Sequence, residues 1–151
     1  MSLRLNDKLP YFILKNQYNK EVNSKNFYGK KLVVFFYPKD DTPGCTMEVC
    51  NFRDNYSEIK KYNSNIVGIS SDSVKSHNSF SKKFNVTYDL LSDNDNKVKK
   101  LFGVPRSMFG LLPGRVTYIF NQEAILLKII NSQINIYEHL SETIKFLKKL
   151  K

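Results

Sequence analysis

No stretch of this chain is both apolar and long. Its apolar runs fall well short of the roughly 20 residues that a membrane-crossing helix needs. The first residues, Met1 to Leu9, alternate apolar with charged and polar side chains and carry no signal-peptide core. The expectation is a soluble, intracellular protein of a reducing compartment, the cytoplasm first, with nucleus or organelle as alternatives. Cysteine is scarce, with two in 151 residues, where a small secreted disulfide scaffold would use more. Two cysteines in an intracellular setting leave redox chemistry, metal binding or no role at all. Long runs of one charge are absent as well. The balance of 24 Lys and Arg against 14 Asp and Glu gives a formal charge of +10, enough to attract nucleic acid or an anionic surface. The lysines, however, are scattered in pairs such as Lys30-Lys31, Lys60-Lys61 and Lys99-Lys100, with no tail or arm. Nucleic acid is therefore not the expected partner, and the wealth of Asn, Lys, Ile and Tyr fits the composition of an AT-rich genome. No repeat, linker or low-complexity segment divides the chain, so residues 1–151 are expected to form one domain.

The elements that are present alternate. Leu32 to Tyr37 is a continuous apolar, β-prone run ended by Pro38, which predicts a central strand buried on both faces. Asn65 to Ser70 is a second. Between them Cys45, Val49, Phe52, Tyr56 and Ile59 recur at steps of three and four, the stripe of a helix. Strand, helix, strand predicts a parallel pair with a crossover helix. A helix over Lys75 to Phe84, a strand over Thr87 to Leu91 and a short helix over Asn94 to Phe102 follow. Arg115 to Phe120 and Ala124 to Ile130 read as a hairpin turning at Asn121-Gln122-Glu123. In the last helix Asn135 and Glu138 suggest a capping box, Tyr137, Leu140, Ile144 and Leu147 form an apolar stripe, and lysines crowd the final turn. The order of elements is that of an α/β thioredoxin-like fold, a mixed central sheet flanked by helices.

The chemistry concentrates between Thr42 and Cys50. Thr42 followed by Pro43 reads as a helix start, a hydroxyl N-cap and then a proline where no N–H is needed. Cys45 then lies in the first turn, where free N–H groups and the positive helix end favour a thiolate. Glu48, three residues on, opposes ionisation unless a cation pairs with it, and Arg115 at the start of a later strand is the candidate. Cys50 is five residues beyond Cys45. On an ideal helix the two Cα atoms are roughly 8.6 Å apart and about 140° around the axis, whereas a disulfide wants less than about 7 Å. If Cys50 resolves an oxidised Cys45, part of the helix must unwind. Each cysteine can also be read simply as a small packed side chain. Zinc does not fit, because His77 and His139 are the only other soft ligands and lie far apart in sequence. Both histidines are expected to be structural. A thioredoxin-type reductase would use a Cys-x-x-Cys spacing, which this chain lacks.

Pro38-x-x-x-Thr42-x-x-Cys45 resembles the active-site signature of the peroxiredoxins. With Gly44-Cys45-Thr46, Glu48 and Cys50, the segment resembles the subgroup called peroxiredoxin Q or bacterioferritin comigratory protein. The likeness extends along nearly the whole chain, through Asn6 to Phe12, Leu91-Ser92-Asp93, Phe102-Gly103-Val104 and Arg115 to Ile119. It implies a peroxidatic Cys45, a Thr42 hydroxyl bonded to peroxide and thiolate, and a Pro38 that shields the pocket. It further implies an Arg115 that stabilises developing charge, a Glu48 that orients Arg115, and a Cys50 that condenses with the Cys45 sulfenic acid. The implied substrates are hydrogen peroxide and alkyl hydroperoxides, the implied reductant is thioredoxin or a similar dithiol, and the implied state is a monomer. No cofactor enters this scheme. A redox relay built on the same cysteines and a basic nucleic-acid-associated peroxiredoxin are the alternatives. The chain departs from the pattern near Asn19 and Glu123, where the family often has glycine, and its segment Pro105 to Gly114 is apolar, with Met108, Phe109, Leu111 and Leu112. That segment reads as a loop packed on the core, with an apolar rim or a dimer contact as the sharper reading.

Overall fold

The computed structural model describes residues 2–106, 114–132 and 135–150. Seven strands form one mixed sheet. They are β1 (Ile13–Lys15), β2 (Glu21–Asn23), β3 (Lys31–Phe36), β4 (Ser64–Ser70), β5 (Asp89–Ser92), β6 (Val116–Phe120) and β7 (Leu126–Asn131). Among the described residues five α-helices accompany them: α1 (Pro43–Asp54), α2 (Tyr56–Lys61), α3 (Val74–Phe84), α4 (Lys97–Phe102) and α5 (Ile136–Leu150). The strand order is β2-β1-β5-β4-β3-β6-β7. β3, β4 and β5 run parallel, and β1, β6 and β7 pair antiparallel to their neighbours. The expected βαβ units and the final hairpin are present, but the chain does not begin with them, because the antiparallel pair β1 and β2 comes first.

From Leu32 to Phe36 β3 is apolar because it is covered on both sides. Leu32, Val34 and Phe36 join one buried cluster with Phe12, Phe102, Tyr118 and Phe120. Val33, Phe35 and Tyr37 join the other, with Cys45, Val49 and Phe52 of α1, Ile59 of α2, Phe80 of α3 and Leu140 and Leu147 of α5. The period-two alternation of a strand thus sorts one continuous apolar run into two cores. Phe35 stacks on Phe52 with centroids 4.7 Å apart, which docks α1 on the sheet.

Several boundaries differ from the sequence expectation. The single stripe from Cys45 to Ile59 is two helices, broken at Asn55, whose backbone (φ −113°, ψ 11°) leaves the helical region. Its side-chain amide donates to the Asn51 carbonyl at 2.9 Å, the local competition with helix geometry that asparagine favours. α4 begins at Lys97 and not near Asn94, because the Asp93 carboxylate accepts the Val98 and Lys99 N–H groups at 3.0 and 2.9 Å. Tyr137 lies outside the buried stripe of α5, with 60% of its surface exposed, and His139 and Thr143 stand in that stripe with Leu140 and Leu147. Asn19 takes the left-handed conformation expected of its turn (φ 61°), but in the hairpin the left-handed residue is Ala124 (φ 63°), not Glu123. Asn121 supports that turn, its side-chain oxygen accepting from the N–H groups of Glu123 and Ile125. The apolar residues Met108, Phe109, Leu111 and Leu112 lie outside the described residues.

Candidate active site

The carboxyl end of β3 feeds directly into the site. Tyr37 continues the ladder by donating its N–H to Ile69, after which Pro38 ends the strand. The chain turns through Asp41 (φ 61°) and enters α1 at Thr42, which is extended, with Pro43 in the first helical position. The antiparallel register of β3 and β6 sets Val116 opposite Phe36, so Arg115 arrives beside the same turn. Strand pairing therefore brings together residues 70 positions apart in sequence.

Cys45 is 1% exposed in the first turn of α1. Its sulfur accepts from the Lys39 backbone N–H and from Nη2 of Arg115, each at 3.5 Å. Nη1 of Arg115 donates to Oε1 of Glu48 at 2.6 Å, with both side chains buried. Gly44 makes room for this arrangement. A Cβ there would stand 3.0 Å from Cδ1 of Ile136 and 3.4 Å from Nη2 of Arg115.

Burial pushes the Glu48 carboxyl up to about 7, and the attraction and hydrogen bond of Arg115 only partly oppose it. Arg115 is held above its ordinary range, since Glu48 and Cys45 outweigh the cost of burial. His139 lies on the other side of Glu48, Nδ1 to Oε2 at 3.7 Å. Burial lowers its affinity for a proton and the Arg115 charge adds to this, against the Ser132 carbonyl. With Nε2 donating to Ser132 at 2.7 Å, Nδ1 is left to accept from the Thr117 hydroxyl at 2.8 Å. Burial thus disfavours a charged ring beside Glu48, whose Oε2 has no hydrogen-bond partner among the described residues.

Thr42 occupies the N-cap position as expected, but its hydroxyl does not cap the helix. It donates to the Lys39 carbonyl at 2.8 Å. Pro38 is half-buried and lines a small cavity with Phe36, Ile69, Asp93, Lys99 and Gly114. Cys50 is half-buried on the same helix as Cys45, both thiols are free, and burial pushes the Cys50 thiol up. Of the six site residues expected from the sequence, Cys45, Arg115 and Glu48 form one bonded cluster. Thr42 joins it through Lys39. The role of the Lys39 amide was not legible, because a backbone N–H carries no residue signature. His77 is in α3 and is fully buried, bonded to Asp40 and to the Leu91 carbonyl.

A mixed sheet with a buried cysteine at the start of the helix that follows its central strand is a thioredoxin-like fold, and the family that the chain matches makes it a thiol peroxidase. The chain belongs to the AhpC/TSA family, whose model matches residues 5–129, and within it to the peroxiredoxin Q branch. It is 46% identical over 142 residues to the chloroplastic peroxiredoxin Q of Sedum lineare, covering 94% of this chain and 76% of that protein. The chain spans about two thirds to three quarters of the length of such plant relatives. Among solved structures it resembles the peroxidoxin BcpB of Mycobacterium tuberculosis (TM-score 0.90, 31% identity, 99% of each chain). It also resembles the bacterioferritin comigratory protein of Xanthomonas campestris, studied for alkyl peroxide reduction (TM-score 0.84, 30% identity, 92% of this chain and 91% of that one).

Proposed function

We propose that this chain reduces hydrogen peroxide and organic hydroperoxides, with Cys45 as the attacking sulfur. The observation that carries the reading is the pair of donors, the Lys39 N–H and Arg115 Nη2, aimed at a buried sulfur in the first turn of α1. The Cys45 thiolate attacks the nearer peroxide oxygen, the O–O bond breaks, and the leaving oxygen takes a proton to depart as water or an alcohol. Sulfur is oxidised to the sulfenic acid and the peroxide is reduced by two electrons. Arg115 stabilises charge on the departing oxygen, Glu48 fixes Arg115, Thr42 orients the peroxide, and Pro38 keeps water from the sulfur. The Cys50 thiol then displaces water from the sulfenic acid to form the Cys45–Cys50 disulfide. A dithiol protein of the thioredoxin class reduces that bond by exchange and is itself oxidised.

Cys50 suits the second role better than the first. It sits in the third turn of α1, away from the helix end, and its thiol is pushed up by burial. The chain is proposed to act as a monomer folded as one domain, in a reducing compartment where such a dithiol is supplied. An organelle is compatible with the chloroplastic relatives. The test is the intact mass and peptide map of the reduced protein after a small excess of hydrogen peroxide. Rapid formation of one intramolecular Cys45–Cys50 disulfide is expected. A protein left unmodified, or oxidised slowly without a bridge, would overturn the assignment.

A further inference from the structure

The turn between Pro38 and Thr42 is held from behind by a buried cluster outside the peroxide chemistry. The Asp40 side chain is 3% exposed and accepts three hydrogen bonds. Tyr37 Oη donates to Oδ1 at 2.6 Å, and Ser76 Oγ and His77 Nδ1 donate to Oδ2 at 2.8 and 2.7 Å. The other His77 nitrogen donates to the Leu91 carbonyl at 3.0 Å. Both ring nitrogens are therefore engaged by fixed partners, which holds the ring in one orientation. Burial and the adjacent Asp40 charge hold the Tyr37 phenol well above its ordinary range, so it remains a donor.

Asp40, Asp72 and His77 lie close enough together to suggest a metal site. Both Asp40 oxygens and both His77 nitrogens are already engaged, and Asp72 Oδ2 accepts from the Ser70 hydroxyl at 2.6 Å and from the Asp40 N–H at 2.8 Å. A cation would have to displace these donors, so the cluster is a hydrogen-bonded clamp. It grips the peptide unit that follows Lys39. The carbonyl of that unit accepts from Thr42 at 2.8 Å and its N–H, that of Asp40, is the one bonded to Asp72. The preceding N–H, that of Lys39, is one of the two donors to the Cys45 sulfur.

We propose that Asp40 and His77, with Tyr37 and Ser76, are positioning residues that aim the Lys39 amide at Cys45 and so set the reactivity of its sulfur. The clamp links β3, the turn and the first turns of α3, none of which has to open when α1 unwinds. It thus holds the donor in place through the cycle. This inference rests on the reading of Cys45 as the peroxide-attacking residue.

The test measures two rates at neutral pH, alkylation of Cys45 by iodoacetamide and its oxidation by hydrogen peroxide, both followed by peptide mass. Asp40→Ala is expected to slow both by about tenfold, as loss of one hydrogen bond to a thiolate should. Asp40→Asn should stay within about twofold of the parent, because its amide can accept from Tyr37 and still hydrogen-bond to His77 Nδ1. Tyr37→Phe combined with Ser76→Ala keeps the buried ring, removes two of the three donors, and should slow both rates by about threefold. This pair decides the matter if Asp40→Ala does not fold. Parental rates in a folded Asp40→Ala, or in the double variant, would overturn the clamp. So would an Asp40→Asn as slow as the alanine variant, since charge and not geometry would then be at work. A parent whose Cys45 reacts with neither reagent would overturn the peroxidase reading and the clamp with it.

Discussion

Arg115 divides its guanidinium between two acidic groups, Nη1 donating to Glu48 at 2.6 Å and Nη2 to the Cys45 sulfur at 3.5 Å. The planar fork can serve both at once, which a lysine ammonium on its flexible stem cannot. Arg115→Ala should slow the oxidation of Cys45 by roughly a hundredfold, the scale of losing one charged donor at a developing anion. Arg115→Lys should recover less than about a tenth of the lost rate. Stopped-flow oxidation with hydrogen peroxide measures both. A lysine variant at the parental rate would show that charge alone is sufficient.

Glu48 makes stability depend on pH in an unusual direction. Burial raises its carboxyl from 4.5 to about 7, so the folded protein binds this proton more tightly than the unfolded chain does. Its contribution to stability is therefore complete below about 4.5 and is lost as pH rises towards 7. Most carboxylates in ion pairs act the other way. Glu48→Gln should flatten the stability profile across that window, as read from urea midpoints at a series of pH values. An unchanged slope between pH 4.5 and 7 would mean that Arg115 compensates fully for burial.

The legibility of these residues in the sequence followed their spacing. β3 could be read because one run of apolar, β-prone residues was bounded by Pro38, and Thr42-Pro43 marked the start of α1. The Glu48–Arg115 pair could be inferred because a carboxylate beside a thiolate demands a cation. Periodicity alone could not reveal the break at Asn55, since Ile59 keeps the stripe in phase across it and the cause is a side-chain bond to Asn51. Sequence alone assigns His77 and His139 no partner, whereas in the fold the first is bonded in the clamp behind the turn and the second neighbours Glu48. Those placements come from sheet order and helix docking, which join positions remote in sequence.

The two cysteines should separate by step. Cys45→Ser should abolish peroxide reduction, since Cys50 lies outside the first turn and its thiol is pushed up by burial. Cys50→Ser should leave the first oxidation at the parental rate and allow a Cys45 sulfenic acid to accumulate, while turnover with thioredoxin falls by about tenfold or more. Dimedone trapping and a coupled thioredoxin assay read the two steps. Undiminished thioredoxin turnover in Cys50→Ser would remove Cys50 from the cycle.

Both cysteines lie on α1, which is continuous from Pro43 to Asp54, so a bond between them needs this helix to open. Buried Tyr88 resists that opening, its hydroxyl donating at 2.8 Å to the Val49 carbonyl, which lies between the two cysteines. Arg53 adds a second tie, Nη1 to the Phe84 carbonyl at 2.7 Å, at the far end of the same helix. Tyr88→Phe keeps the ring and removes a hydrogen bond worth about 1 kcal/mol, which should raise the open population about fivefold. If opening limits resolution, disulfide formation should accelerate by up to that factor while the first oxidation of Cys45 is unchanged. Hydrogen exchange should show the cause directly, with lower protection from Met47 to Phe52 in the variant and a further loss in the oxidised form. Equal protection of that segment in reduced and oxidised protein would mean that the bridge forms without unwinding, and the helix would then have to accommodate a separation that its geometry forbids.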